Sequence, residues 1–328
     1  MSSPPLPPSA EEPRAIQLQL ARQLTRLVVA SGVRDIRAEL AEAERLFQSL
    51  LEQRGLMVEL VVEVMQGFLL LRRPAVAKQA VAVLRRTFKE DPLLERIAGH
   101  LSADVPSEAD MIRAIYAFKA LRYDWLYDSS HRELRVALSR LLPRLRLGGM
   151  SRIVDLGCGT GLVGGLLREH GFAGRLTGVD LSRDMLEVAS KGGRYDELVE
   201  DDLVRYLDGT TTGFDAITTL QVVAILDRTA LDALLAGARR RLGTGGALVF
   251  NAPGLGELAD AGANEARATR LGPGTVEVLL RQHRLAFRAS NHGGLRYYIA
   301  TPRGGASSLA PDRGSAPGPR QGVTPWNP

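Results

Sequence analysis

The run Ile153-Val154-Asp155-Leu156-Gly157-Cys158-Gly159-Thr160-Gly161 constrains this chain more than any other stretch. An apolar strand ends in an acid and a glycine-rich turn. A helix pattern follows, in Leu162, Val163, Leu166 and Leu167. Glycines let the backbone turn sharply and let a ligand approach it closely. A dinucleotide fingerprint would need a third glycine at position 162, where Leu162 stands. A phosphate-binding P-loop would need Gly-Lys-Ser/Thr, and none follows. Asp155, two places before the first glycine, is a poor companion for pyrophosphate. It suits a cationic ligand, such as one with an ammonium group.

The pattern continues downstream. Leu176-Thr177-Gly178-Val179-Asp180 reads as a second strand, ending in an acid 19 residues after Gly161. An acid at about that distance accepts hydrogen bonds from ribose hydroxyls in a Rossmann-like sheet. Ser182 is placed to cap the next helix, with Asp184 in its first turn. Val199-Glu200-Asp201-Asp202-Leu203 follows, then strand patterns at Phe214 to Leu220 and, after the turn at Gly243, up to Phe250. In this order and spacing, the stretch resembles the class I S-adenosylmethionine-dependent methyltransferases. Tyr195-Asp196-Glu197-Leu198-Val199 further resembles a bacterial group of them often fused to tetratricopeptide (TPR) repeats. Arg122-Tyr123-Asp124 partly matches that group's aromatic helix. Gln221 and Ile225 stand where the resemblance implies an acid and an aromatic.

The resemblance implies S-adenosylmethionine as cofactor and a role for each motif. The Gly157, Gly159 and Gly161 backbone, with Cys158 as a small filler, lets the amino-acid portion and ribose lie close. Asp155 would meet the ammonium group directly or through water; the alternative is that it caps the glycine turn. Asp180 would accept from both ribose hydroxyls. Asp202 would accept from the adenine amino group, with Asp201 as its rival and helix capping as its other reading. The Leu203 amide would donate to the ring, and Leu181 and Met185 would flank it. Gln221 completes the set and can position an acceptor, but it cannot act as a base. No catalytic residue is legible, and no metal-ligand spacing is visible. His131, His170, His283 and His292 are scattered and read as surface or structural residues.

The chain has 328 residues, enough for two domains. No run of 18 apolar residues suggests a membrane span, and the Pro- and Ser-rich start has no apolar signal segment. One cysteine excludes an internal disulfide and fits a reducing, cytoplasmic setting. The formal net charge is +5, carried mainly by dispersed arginines. Aromatic residues are not interleaved with them, so no nucleic-acid platform is expected.

The expected organisation is a disordered stretch over 1–13, helices over 14–105, connecting helices over 106–147, an α/β domain over 148–302 and a loose tail over 303–328. Ala43, Phe47 and Leu50 recur as Ala77, Val81 and Leu84, a spacing of 34 that equals the TPR period. Such a helical unit could bind a protein partner; an unrelated small bundle is the other reading. Ser107 and Asp110 mark a helix start. Tyr116 to Tyr127 is either a packing helix or a lid over the cofactor. Strand and helix patterns alternate from Ser151 to Thr301, which implies a doubly wound, Rossmann-like α/β sheet. The resemblance implies seven strands, the last inserted antiparallel, with a closing hairpin around His292-Gly293-Gly294. The expected activity is methyl transfer to an unidentified acceptor, preferably a small molecule. The alternatives are a cofactor-binding interaction protein without turnover and a nicotinamide oxidoreductase, which Leu162 and Asp155 disfavour.

Overall fold

The computed structural model describes residues 35–303 except 53–57, 90, 121–127, 146, 148–150 and 254–270, together with 16, 19–24, 26 and 27. The expected disordered start, the tail beyond Arg303 and the aromatics Tyr123, Trp125 and Tyr127 lie outside the described residues.

Among the described residues, the helices ahead of the sheet begin with α1 (Arg37–Leu51), α2 (Val58–Leu70), α3 (Pro74–Thr87), α4 (Pro92–His100) and α5 (Glu108–Lys119). Their starts follow from local chemistry. Pro74 and Pro92 sit in first turns, where no backbone donor is needed. Asp91 accepts from the Leu93 and Leu94 amides at 2.8 and 3.1 Å. Ser107 and Asp110 form a reciprocal capping box. The residues spaced by 34, Ala43, Phe47 and Leu50 with Ala77, Val81 and Leu84, are all buried in one core. The same core takes in Met111, Ala114 and Ile115. Helix α5 is thus part of the helical unit's interior.

After α6 (Asp128–Leu141) comes a seven-stranded sheet. Its strands are β1 (Arg152–Leu156), β2 (Arg175–Asp180), β3 (Glu197–Glu200), β4 (Phe214–Thr219), β5 (Leu242–Pro253), β6 (Leu285–His292) and β7 (Leu295–Pro302). The helices between them are α7 (Leu162–Glu169), α8 (Arg183–Lys191), α9 (Leu203–Gly209), α10 (Arg228–Arg241) and α11 (Pro273–Gln282). The strand order is β3-β2-β1-β4-β5-β7-β6. Strands β1 to β5 pair in parallel, and β7 runs antiparallel between β5 and β6. Gly293 and Gly294, both at positive φ, close the final hairpin, as a tight two-residue turn requires.

Alternation along the strands divides the side chains between two cores. Ile153, Leu176 and Val249 pack under α6 and α7, with Leu138, Leu166 and Leu167. Val154, Ile217 and Phe250 pack under α9 to α11, with Leu207, Leu234, Leu235 and Leu279. The sheet order reverses between β1 and β4, and ligands bind at such a switch point, beyond the carboxyl ends of the strands.

The helical unit docks on the sheet domain through α8. The Arg96 guanidinium lies 2.6 Å from the carboxylate of Asp184, a side chain only 7% exposed. Removing Arg96 would leave a nearly buried charge unpaired. Arg96→Ala should therefore destabilise the chain by about 1–3 kcal/mol, between the values for exposed and buried pairs. Urea denaturation measures this. Adding Asp184→Asn should recover much of the loss; a double mutant no better than the single would show that the pair is not the cause.

Candidate active site

The glycine turn is built on the ends of β1 and β2. The Gly157 and Cys158 amides both donate to the Val179 carbonyl, at 2.7 and 3.0 Å. Gly157, Gly159 and Gly161 all have positive φ, which L side chains rarely adopt. At Gly157 a Cβ would also lie 2.3 Å from Cγ2 of Val222.

Asp180, at the end of β2, holds the turn from the other side. One oxygen accepts from the Gly159 amide at 2.8 Å and the other from the Ser182 amide at 2.9 Å. Burial raises its pKa above the usual carboxylate value, opposed by backbone amide donors including these two. The Ser182 hydroxyl caps α8 by accepting from the Met185 amide. Asp202 caps α9, one oxygen accepting from the Val204 and Arg205 amides at 2.9 and 3.0 Å. Asp201 pairs with Arg205.

A cleft opens over these elements. Of the residues expected from sequence, the structure brings together Gly157, Gly159, Asp180, Leu181, Met185, Asp202, Leu203 and Gln221 on its lining. Asp201 lies beside Asp202 there. Asp155, Cys158 and Gly161 are not on the lining. Asp155 is buried, with one oxygen accepting from the Tyr195 hydroxyl and the other from Thr218 Oγ1, both at 2.7 Å. Burial pushes its pKa up to about 6, against the lowering effect of those two hydrogen bonds. Cys158 is buried and its thiol pKa is pushed well up by desolvation, so it stays protonated near neutrality.

The rest of the lining is apolar. Val179, Leu220, Val222 and Ile225 come from the sheet domain, and Ile112 and Tyr116 come from α5. Sequence reasoning placed Tyr116 in a packing or lid segment but gave Ile112 no role. The helical period shows that both lie on one side of α5, four residues apart, but not what that side meets. Gln221 is a non-glycine residue at positive φ (59°), and its amide donates to Oδ1 of Asn251 at 2.7 Å. Such strain is held only where the surroundings fix it. Asn251 and Thr218 gave no signal in the sequence beyond being polar residues in apolar strands.

The cleft's chemistry fits S-adenosylmethionine. It has a side-chain-free cradle, a carboxylate at the end of β2, acids at the start of α9 and the apolar side chains Leu181, Met185 and Leu203 between them. Among the described residues, no group of three or more His, Cys, Asp or Glu side chains could hold a metal. Also among them, no helix is long and apolar enough to cross a membrane.

Residues 153–246 match a family model described as a methyltransferase domain. The match runs from β1 into β5, leaving the helical unit and the closing hairpin outside it. No curated relative matches the sequence. Among solved structures, the chain is similar to a SAM-dependent methyltransferase from Archaeoglobus fulgidus, at 19% identity and a TM-score of 0.46, over 55% of this chain and 99% of that one. It is also similar to an S-adenosylmethionine-dependent methyltransferase from Clostridium acetobutylicum, at 16% identity and a TM-score of 0.46, over 58% and 99% of the two chains. DhpI, solved with SAH, gives 22% identity and a TM-score of 0.45, over 57% and 93%. The family match lies over the strands and turns that frame the cleft, so residues 153–246 of this chain form a methyltransferase domain.

Proposed function

We propose that the cleft transfers a methyl group to a small-molecule acceptor, with Asp180 receiving the ribose hydroxyls and Asp202 the adenine amino group. The observation that carries the small-molecule reading is the position of α5. Its Ile112 and Tyr116 join the sheet domain's apolar side chains around the cleft, a lining that suits a small acceptor. When bound, S-adenosylmethionine supplies an electrophilic methyl on a sulfonium. The chain's own residues then have positional work to do. The glycine turn admits the cofactor close to the backbone. Asp180 and Asp202 each have lone pairs beyond those used by backbone amides. Leu181, Met185 and Leu203 offer apolar surface to the adenine. Ile112, Tyr116, Leu220 and Ile225 line the cleft with apolar surface that would shield a methyl transfer from water. Gln221, fixed by Asn251, points to a role in orienting the acceptor rather than in taking its proton.

We extend the proposal to the helical unit, read as TPR-like and as a surface for a protein partner. The 34-residue recurrence within one core supports that reading.

Binding of S-adenosylmethionine and S-adenosylhomocysteine is expected in the low micromolar range, roughly −8 kcal/mol. Calorimetry without saturation at millimolar ligand, on folded protein, would count against the cofactor assignment. A radiolabelled methyl-transfer screen tests the acceptor. Label should enter the small-molecule fraction of the host extract. Label found only in protein or RNA would overturn the small-molecule reading.

A further inference from the structure

Helix α7, which follows the glycine turn, has an incomplete start. Its N-cap is Gly161, which has no side chain to satisfy the helix's first amides. A serine or aspartate is the usual cap, but either would be strained at φ 92. The missing acceptor comes from a distant part of the chain. The Gly164 amide, in the first turn, donates to the Tyr195 hydroxyl at 3.1 Å. That hydroxyl in turn donates to Asp155 at 2.7 Å.

The surrounding glycines make room for this ring. A Cβ on Gly164 would lie 2.5 Å from Cζ of Tyr195, and one on Gly178 would lie 2.9 Å from its Cδ1. A Cβ on Gly161 would lie 3.1 Å from Cε2. Strand register explains the other partner. Asp155 has Gly178 beside it on β2 and Thr218 beside it on β4. The glycine side is open to Tyr195, and the threonine side donates its own hydroxyl.

We propose that Tyr195 is a positioning residue for the cofactor: its hydroxyl is the N-cap that α7 lacks, and by tying that helix to Asp155 it supports the glycine turn from behind. This rests on the reading that the cleft takes S-adenosylmethionine. Tyr195 does not line the cleft; it acts through the turn and through the charge state of Asp155. The groups that face Asp155 are Tyr195, Thr218 of β4, Asp180 of β2 and Cys158 of the turn. Two of them donate hydrogen bonds that favour its ionised form, while burial and the Asp180 charge oppose it. An ionised Asp155 behind the turn favours a cationic ligand. Loss of the Tyr195 hydroxyl therefore makes Asp155 harder to ionise.

The experiment uses the full chain as wild type, Tyr195→Phe, Asp155→Asn and the double variant. S-Adenosylhomocysteine binding is measured by calorimetry from pH 5 to 8, and thermal unfolding without ligand over the same range. Wild-type affinity should hold at high pH and fall below about pH 6, where Asp155 takes up a proton. Tyr195→Phe should bind about three- to tenfold more weakly at pH 8, on the scale of one hydrogen bond. Its midpoint should move upward in pH. Asp155→Asn should remove the pH dependence and most of the further effect of Tyr195→Phe.

The unfolding arm needs no ligand. The folded pKa of Asp155 is raised, so its contribution to stability is full below the unfolded pKa and is lost as pH rises through about 6. In Tyr195→Phe that loss should extend to higher pH, and in Asp155→Asn it should vanish. Identical pH profiles in wild type and Tyr195→Phe would overturn the proposal. So would a loss of affinity that is parallel at every pH and persists undiminished beside Asp155→Asn. If wild type failed to bind, the cofactor reading would fall, and the unfolding profiles would still decide the role of Tyr195.

Discussion

Gly157→Ala should cost the chain about 2–5 kcal/mol of stability and reduce cofactor affinity by about a hundredfold or more. Two separate penalties make up the stability figure. The left-handed backbone at φ 72 costs an L-residue about 1–2 kcal/mol. The new methyl would lie 2.3 Å from Cγ2 of Val222, and forcing atoms into a packed site costs about 1–3 kcal/mol. The loss of affinity follows because Val222 and Gly157 are both on the cleft lining, so the shift that relieves the clash deforms the cradle. Gly171→Ala is the control. Its φ is 81 but a Cβ would meet nothing within 4 Å, so only the backbone penalty applies and binding is unchanged. Adding Val222→Ala to Gly157→Ala should recover the packing part and leave the backbone part. Urea denaturation and calorimetry with S-adenosylhomocysteine read both quantities. Equal effects at positions 157 and 171 would show that the approach of Val222 is immaterial.

Asp180→Ala should weaken cofactor binding by about 1.5–3 kcal/mol, the scale for hydrogen bonds to a charged group. That corresponds to roughly 10- to 150-fold in the dissociation constant. From the sequence, Asp180 reads as a ribose acceptor at a strand end whose loss the fold should survive. The structure gives the same carboxylate a second role, because it holds the Gly159 and Ser182 amides and so joins the turn to the start of α8. The variant should therefore also lose about 1–3 kcal/mol of stability, since backbone donors are left without their acceptor. Asp180→Asn separates the two roles. It keeps one carbonyl oxygen but loses the second acceptor and the charge, so part of the affinity loss should remain. Wild-type affinity in Asp180→Ala, measured by calorimetry, would show that the ribose is held elsewhere.

Much of this architecture is legible in the residues because it depends on local pattern. Apolar runs closing on Asp155 and Asp180 mark β1 and β2, and Gly293-Gly294 marks the hairpin that carries the inserted antiparallel strand. Ser107, Asp110 and Ser182 announce helix starts that the backbone confirms. What is not legible depends on contacts between distant segments. Tyr195 and Asp155 are 40 positions apart, and nothing local says that Gly164 and Gly178 are small to admit that ring. The spacing of Ile112 and Tyr116 gives a helix face but not its neighbour. Gln221 shows no sign of positive φ in its residue type; its backbone amide is held there by a hydrogen bond to Oδ1 of Asn251, 30 positions away on β5. The aromatic residues after Lys119 and the segment 254–270 lie outside the described residues, and the lid reading of 116–127 goes no further than Tyr116.

Helix α5 buries Met111, Ala114 and Ile115 in the helical core and shows Ile112 and Tyr116 to the cleft. One element therefore faces both the helical core and the cleft. A molecule that moves α5 when it engages the helical unit changes cofactor affinity by some factor, and the cofactor must change that molecule's affinity by the same factor. Any such signal between the two halves of this chain would be symmetric, so cofactor supply would also set the affinity for a molecule that moved α5.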